Sequence, residues 1–239
     1  MGITNSTGEY LMFLEPDDYL EGKDNLLYLY NEYKNTKEDI IIYPHFNLGK
    51  KRISPRCEVY NKLIKQPELF HLMFRNDNIR DELIWNKLVK RELFLNISKI
   101  MEKYIDGKKW NHHEDFIWSL LIHKYGTSMK CLNKYIYMYE KNSESITKNS
   151  GTQLELENML NTHEMFGQIF EKNHEIYFYR TISNLINFIQ SNELFSNLVK
   201  TNIEIKYRVI KICSNFINRV ESKDLNYHKI FSFLYHITK

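Results

Sequence analysis

The acidic cluster Glu15-Pro16-Asp17-Asp18 is the first place in this sequence where residue types and spacing suggest chemistry. It follows Tyr10-Leu11-Met12-Phe13-Leu14, an unbroken apolar run of strand length. Carboxylates just past the carboxyl end of a buried strand sit where open α/β sheets present their ligands. Mg²⁺ takes one or two carboxylates and completes its shell with water and substrate phosphates, so Glu15 and Asp17 on a tight turn suit a metal–diphosphate complex, with Asp18 in support. The same residues suit a solvated turn that opens a helix. A second acidic pair, Glu114 and Asp115, precedes Ile117, Leu120, Leu121 and Tyr125 at helical spacing, with Gly126 after the end. A carboxylate there can act as a general base. It can equally do no more than complement a helix dipole, an effect worth about 0.3 to 1 kcal/mol. His112 and His113 stand beside this pair, but helical ligand pairs normally sit at i and i+4, so no histidine metal site is assigned. Trp85 offers an aromatic face to a sugar and Lys87 an ammonium to a phosphate or carboxylate. With Ile84, Leu88 and Leu93 they read equally as core.

Placing these groups together needs a sheet, and the patterning before residue 148 supplies one. Tyr10 to Leu14 and Ile40 to Tyr43 read as buried strands, and Cys131 to Tyr139 as a further strand. Between the first two, Asp24 can cap a helix with the stripe Leu26, Leu27, Tyr30 and Tyr33. Lys148 to Thr152 is polar, holds Gly151 and reads as a linker. Beyond it, Leu156, Met159, Leu160, Phe166, Ile169 and Phe170, then Ile182, Leu185, Ile186 and Ile189, then Val209, Ile212, Cys213, Phe216 and Val220 repeat at helical spacing. The expectation is an α/β region over 1–148 and an all-α extension over 149–239.

Taken in order, several segments resemble family 2 glycosyltransferases of the GT-A type. Thr7 to Leu20 is similar to the family's acid-x-acid segment, with its stretch G-E-Y-I-x-F-L-D-x-D-D. Ile84 to Phe94 resembles its W-N-K-L-(F/Y)-(K/R)-R segment, and His113-Glu114-Asp115-Phe116 its Glu-Asp motif. Tyr137-Met138-Tyr139 with Ser145-Ile146-Thr147 resembles its Y-x-Y…S-I-T ending. The resemblance implies a mixed sheet with flanking helices and an inverting, hexosyltransferase-type reaction serving polysaccharide biosynthesis. It implies Asp115 as base, with Glu15 and Asp17 as ligands of Mg²⁺ or Mn²⁺. Asp18, Trp85, Lys87, His113 and Glu114 become candidates for acceptor contact or support. A sugar nucleotide is the implied donor, and a saccharide or lipid-linked molecule the acceptor. Two departures stand out: Glu15 replaces the usual Asp, and Glu140 stands where an Arg often follows the Y-x-Y. The family's opening half, with its P-V-Y-N-like turn and Asp-Asp-Gly, has no counterpart. The resemblance therefore implies a truncated GT-A-like domain lacking about a hundred residues, counted in βαβ units of roughly 30 or more. Such a chain is expected not to turn over a donor by itself; the other reading is a silent remnant kept as a binding or assembly module.

Composition excludes several other classes. With 239 residues, 43% hydrophobic and 26% charged, the chain can bury a core and is not disordered. Its 33 basic and 30 acidic residues are interleaved and give a net charge of +3, without the basic stripe of a nucleic-acid binder. Cys57, Cys131 and Cys213 are few, odd in number and far apart, which fits free thiols and a cytoplasmic setting. Lys200, Lys206, Arg208, Lys211 and Arg219 can line helices that approach an anionic membrane, or form a solvated face. An uncovered sheet edge would favour self-association.

Overall fold

The computed structural model describes residues 2–48, 52–54, 62–73, 83–105, 114–140, 152–169, 175–219 and 228–238. His112, His113, the linker apart from Thr152, and the segment Ser145-Ile146-Thr147 lie outside them. A first compact unit comprises residues 1–109 and 114–145. A short helix α1 (Gly2–Asn5) precedes strands β1 (Tyr10–Met12) and β2 (Tyr19–Leu20), with the acidic turn between them. Helix α2 (Asn25–Thr36) leads into β3 (Ile40–Ile42), β4 (His45–Asn47), β5 (Arg52–Ser54) and β6 (Leu63–Lys65). Then come α3 (Glu68–Leu72), β7 (Lys87–Lys90), α4 (Arg91–Ile105), α5 (Glu114–Tyr125), β8 (Ser128–Cys131) and β9 (Tyr137–Tyr139).

These strands form two mixed sheets, ordered β1-β7-β3-β8-β6 and β2-β9-β4-β5. The α/β expectation therefore holds, and the apolar runs at Tyr10 and Ile40 do lie in one sheet. Strand β3 is buried along its whole length, at 0 to 3% exposure, which explains its unbroken isoleucines: a central strand has no solvent face. It runs parallel to β8, and β4 runs parallel to β9. Both paths pass from one sheet into the other side by side, with Ile42 opposite Cys131 in the first and His45 opposite Tyr137 in the second. The stretch Cys131 to Tyr139 is thus not one strand. Asn133 and Lys134 bend out into solvent while Leu132 and Ile136 stay buried, so the sheet switch occurs inside the apolar run.

Leu29, Ile41, Tyr43, Trp85, Leu88, Leu132, Ile136 and Tyr137 form a common core beneath the site. Helix α2 contributes Leu29 to it, but its orientation departs from the sequence expectation. Leu26 and Leu27 are 59% and 58% exposed, and the inward meridian is Asn25, Tyr28, Leu29, Glu32 and Tyr33. Partners make this polar inner face tolerable, because Glu32 pairs with Lys130 at 2.6 Å and the Asn25 amide donates to the Glu21 carbonyl. At the opposite end of the sheet's central strands, Asp39 accepts from Lys90 Nζ (2.7 Å), Thr127 N–H (2.8 Å) and Thr127 Oγ1 (2.6 Å). These bonds knot the ends of β3, β7 and β8.

The second unit comprises residues 110–113 and 146–239. Among its described residues the only regular structure is helical: α6 (Gln153–Ile169), α7 (Glu175–Ser191), α8 (Glu193–Thr201), α9 (Ile203–Ile217) and α10 (His228–Thr238). Asn192 caps α8 through Phe195 N–H, and Asn202 caps α9 through Glu204 and Ile205 N–H. Arg208 forks onto Glu164 and Asn161, and Arg219 donates to the Gly167 carbonyl. Two of the five basic residues considered for a membrane face are therefore engaged inside the unit. Among the described residues no helix is long and apolar enough to cross a membrane.

Candidate functional site

Strand β1 ends at the acidic turn. The Asp18 N–H donates to the Glu15 carbonyl at 3.2 Å, closing a four-residue turn with Pro16 at its second position, where a fixed φ is favoured. Three hydrogen bonds then fix this turn to β9 and the residue that follows it. The Glu15 N–H donates to the Tyr137 hydroxyl at 3.1 Å, and that hydroxyl donates to Asp18 Oδ2 at 2.7 Å. Asp18 Oδ1 accepts from the Glu140 N–H at 2.8 Å. Asp18 is 8% exposed and uses both oxygens in these bonds, whereas the Glu15 and Asp17 side chains are exposed. Burial raises the Asp18 pKa and outweighs the lowering by its two hydrogen bonds, with Asp17 and Glu140 adding to the rise. Glu15 is also raised, by partial burial first and then by the like charges of Asp18, Asp17 and Glu114.

Asp115 stands in the first turn of α5 and accepts a hydrogen bond from the Ile84 N–H. Burial, then the charges of Glu114 and Glu15, push it up to about 6; Lys87 and the Ile84 bond act in the opposite direction. Glu15 from the turn, Glu114 and Asp115 from α5 and Lys87 from β7 thus share one electrostatic neighbourhood. Lys87 is fully buried, and its ammonium donates to the Leu83 carbonyl and to Asn86 Oδ1 at 2.9 Å. Trp85 is 5% exposed and stacks on Tyr137 (4.5 Å, 22°) and Tyr139 (5.6 Å, 10°), with His45 edge-on at 4.6 Å. Trp85 and Lys87 accordingly lie in the packed layer below the acidic groups. His113 falls outside the described residues.

Tyr137 and Tyr139 entered the sequence reading only as motif markers. The structure adds both to the neighbourhood of the turn. The Tyr139 hydroxyl is raised by burial first and then by Asp18, Asp17 and Glu15. The available signal was their i, i+2 spacing, which puts both side chains on one face of a strand.

Among the described residues no group of three or more His, Cys, Asp or Glu side chains could hold a metal by itself. The donor set fits a different arrangement. Glu15 and Asp17 are hard oxygen donors exposed on a pinned turn; burial first and like charge second raise Glu15, and a cation would relieve the second of these. Two carboxylates suit a divalent ion that shares its shell with substrate phosphates and water.

No protein-family model and no curated protein matches the sequence. Among solved structures, the chain superposes on the crystal structure of S. aureus TarS 1-349 with a TM-score of 0.51 and 13% identity, over 92% of this chain and 58% of that one. A further crystal structure of S. aureus TarS gives a TM-score of 0.40 and 13% identity, over 90% of this chain and 40% of that one. The likeness is one of fold: the mixed α/β architecture of this chain matches that of the S. aureus TarS 1-349 structure. The chain spans 58% of the length of the first of these structures.

Proposed function

We propose that this chain carries the acceptor-side chemistry of an inverting GT-A, family 2 glycosyltransferase. The observation that supports it best is the convergence of Asp115 with the turn bearing Glu15, two carboxylates from segments a hundred residues apart. In this reading the acceptor hydroxyl oxygen attacks the anomeric carbon of a sugar nucleotide while the bond from that carbon to the diphosphate oxygen breaks. Asp115 takes the hydroxyl proton, and the electron pair of the broken bond leaves with the diphosphate. A carboxyl titrating near 6 is ionised at neutral pH yet basic enough to accept a proton, which suits this role. Glu15 and Asp17 would hold a divalent cation that neutralises charge on the departing diphosphate. Asp18, Trp85 and Lys87 serve as support beneath them, and Glu114 helps hold the Asp115 pKa up. The acceptor is a saccharide or a lipid-linked molecule reached from a membrane surface, in keeping with polysaccharide assembly.

A second reading, a silent module that binds a partner, is favoured by the exposed Leu26 and Leu27. One assay separates the two: binding, hydrolysis and transfer of several sugar nucleotides with Mn²⁺ or Mg²⁺. The expected result is metal-dependent donor binding, weak in this chain alone, with any turnover abolished by Asp115→Asn while binding persists. Turnover that survives Asp115→Asn removes the base assignment. Failure of every donor to bind with either metal leaves the second reading.

A further inference from the structure

The acidic turn gains its shape from a residue 122 positions away in sequence. Tyr137 is fully buried, and its hydroxyl is spent twice on the turn, accepting from the Glu15 amide and donating to Asp18 Oδ2. Asp18 then reaches past Tyr137 to the Glu140 amide at the end of the same strand. The backbone of the turn is thereby held at Glu15 and at Asp18, the two residues that bracket Asp17. Strand β9 is itself fixed on both sides, by β2 through Tyr19↔Met138 and Leu20↔Tyr137 and by β4 through His45↔Tyr137. Trp85 stacks on the Tyr137 ring and limits its motion. Glu15 and Asp17 contribute no bond of their own side chains to this clamp, so their carboxylates stay available on a preformed turn.

We propose that Tyr137 and Asp18 are positioning residues that clamp the Glu15–Asp18 turn, so that Glu15 and Asp17 are preorganised for a metal-bound nucleoside diphosphate. Asp18, although third in the acidic cluster, is then an anchor with both oxygens committed. Preorganisation of this kind raises affinity by removing the cost of ordering a loop at the moment of binding. The proposal rests on the functional reading above, and its test separates the two.

Tyr137→Phe keeps the ring against Trp85 and deletes both hydroxyl bonds. Asp18→Asn keeps one acceptor and loses the other. Ile64→Val, in the strand at the far end of the first sheet from β1, serves as a control because it weakens the core without touching the turn. Two readouts on the full chain decide the matter: amide hydrogen exchange over residues 13–18, and Mn²⁺-dependent binding of UDP by titration. In Tyr137→Phe we expect faster exchange at Glu15 and Asp18, unchanged exchange in β3 and β8, and about tenfold weaker Mn²⁺–UDP binding, the loss that two ordinary hydrogen bonds would produce. Asp18→Asn falls between, and Ile64→Val moves neither readout at the turn. Unchanged exchange at Glu15 in Tyr137→Phe overturns the clamp. Faster exchange with undiminished Mn²⁺–UDP binding overturns the positioning role. No Mn²⁺-dependent binding of UDP, or of any donor in the panel above, by the unsubstituted chain overturns the functional reading itself and the positioning role with it.

Discussion

At the scale of residues, the site stores unfavourable electrostatics that the fold must offset. The Asp115 carboxyl lies at about 6 in the fold against an ordinary 3.8, so its charged form is disfavoured by burial and by Glu114 and Glu15. Between those two pH values the folded chain binds more protons than the unfolded chain, and stability falls as pH rises through the window. Ionising Asp115 at neutral pH therefore costs about 2 to 3 kcal/mol, taken at 1.36 kcal/mol per pH unit. Asn keeps an oxygen to accept from the Ile84 amide and removes the charge. Asp115→Asn should thus melt several degrees higher at pH 7, with the difference shrinking toward zero as the buffer is taken to pH 4. Equal melting temperatures at pH 7 would mean that the carboxylate is not electrostatically strained. Residue types marked Glu15, Asp17 and Asp115 as carboxylates beside apolar runs, a pattern that suits a solvated turn or a helix start equally well, and only the ordered resemblance to a family implied their roles as metal ligands and base. The Tyr137 hydroxyl was not legible in the same way: its role depends on β9 pairing with β2, a contact between segments more than a hundred residues apart.

At the scale of elements, α5 shows how closely the site's supports are packed. A Cβ added at Gly126 would lie 2.7 Å from Ile40 Cδ1 and 2.8 Å from the Ile122 carbonyl oxygen. The first contact is with the central strand β3 and the second with the backbone of α5 itself, so neither can move aside freely. Gly126→Ala is expected to destabilise the chain by about 1 to 3 kcal/mol, as overpacking does, measured by denaturant unfolding. Adding Ile40→Val should recover only part of the loss, since the carbonyl clash remains. The sequence signalled this glycine as a helix stop, and it signalled β1, β3 and the tail helices through continuous or 3.6-periodic apolar residues. Two features were hidden from it. Four apolar residues on α2 define a stripe but not its destination, and the inward Asn25 and Glu32 are acceptable only because Glu21 and Lys130 meet them. The switch of sheets between β8 and β9 was hidden inside one apolar run, because local pattern does not encode which neighbouring strand a residue will join.

At the scale of the whole molecule, the first unit presents both an outward apolar stripe on α2 and a strand with one open edge. Leu26, Leu27 and Tyr30 are 59%, 58% and 46% exposed, and rings connect them to the sheet: Tyr30 to Tyr33 at 5.6 Å and Tyr33 to Tyr10 of β1 at 4.7 Å. Strand β1 pairs with β7 on one edge, and no described strand pairs with the other. An open strand edge and an exposed apolar helix face on the same unit each favour association between chains. Each leucine buried in such a contact would contribute on the order of 1 to 2 kcal/mol, discounted for its partial exposure. The solution mass should therefore rise with protein concentration, as followed by sedimentation velocity. The double variant Leu26→Glu with Leu27→Glu should weaken that association by about a hundredfold, since two such contributions multiply in the equilibrium constant. Its melting temperature measured at high dilution should stay within a degree or two of the unsubstituted chain, because these side chains contribute little to the core. A chain that remains monomeric up to high concentration would count against the open edge and the exposed stripe as a surface for association.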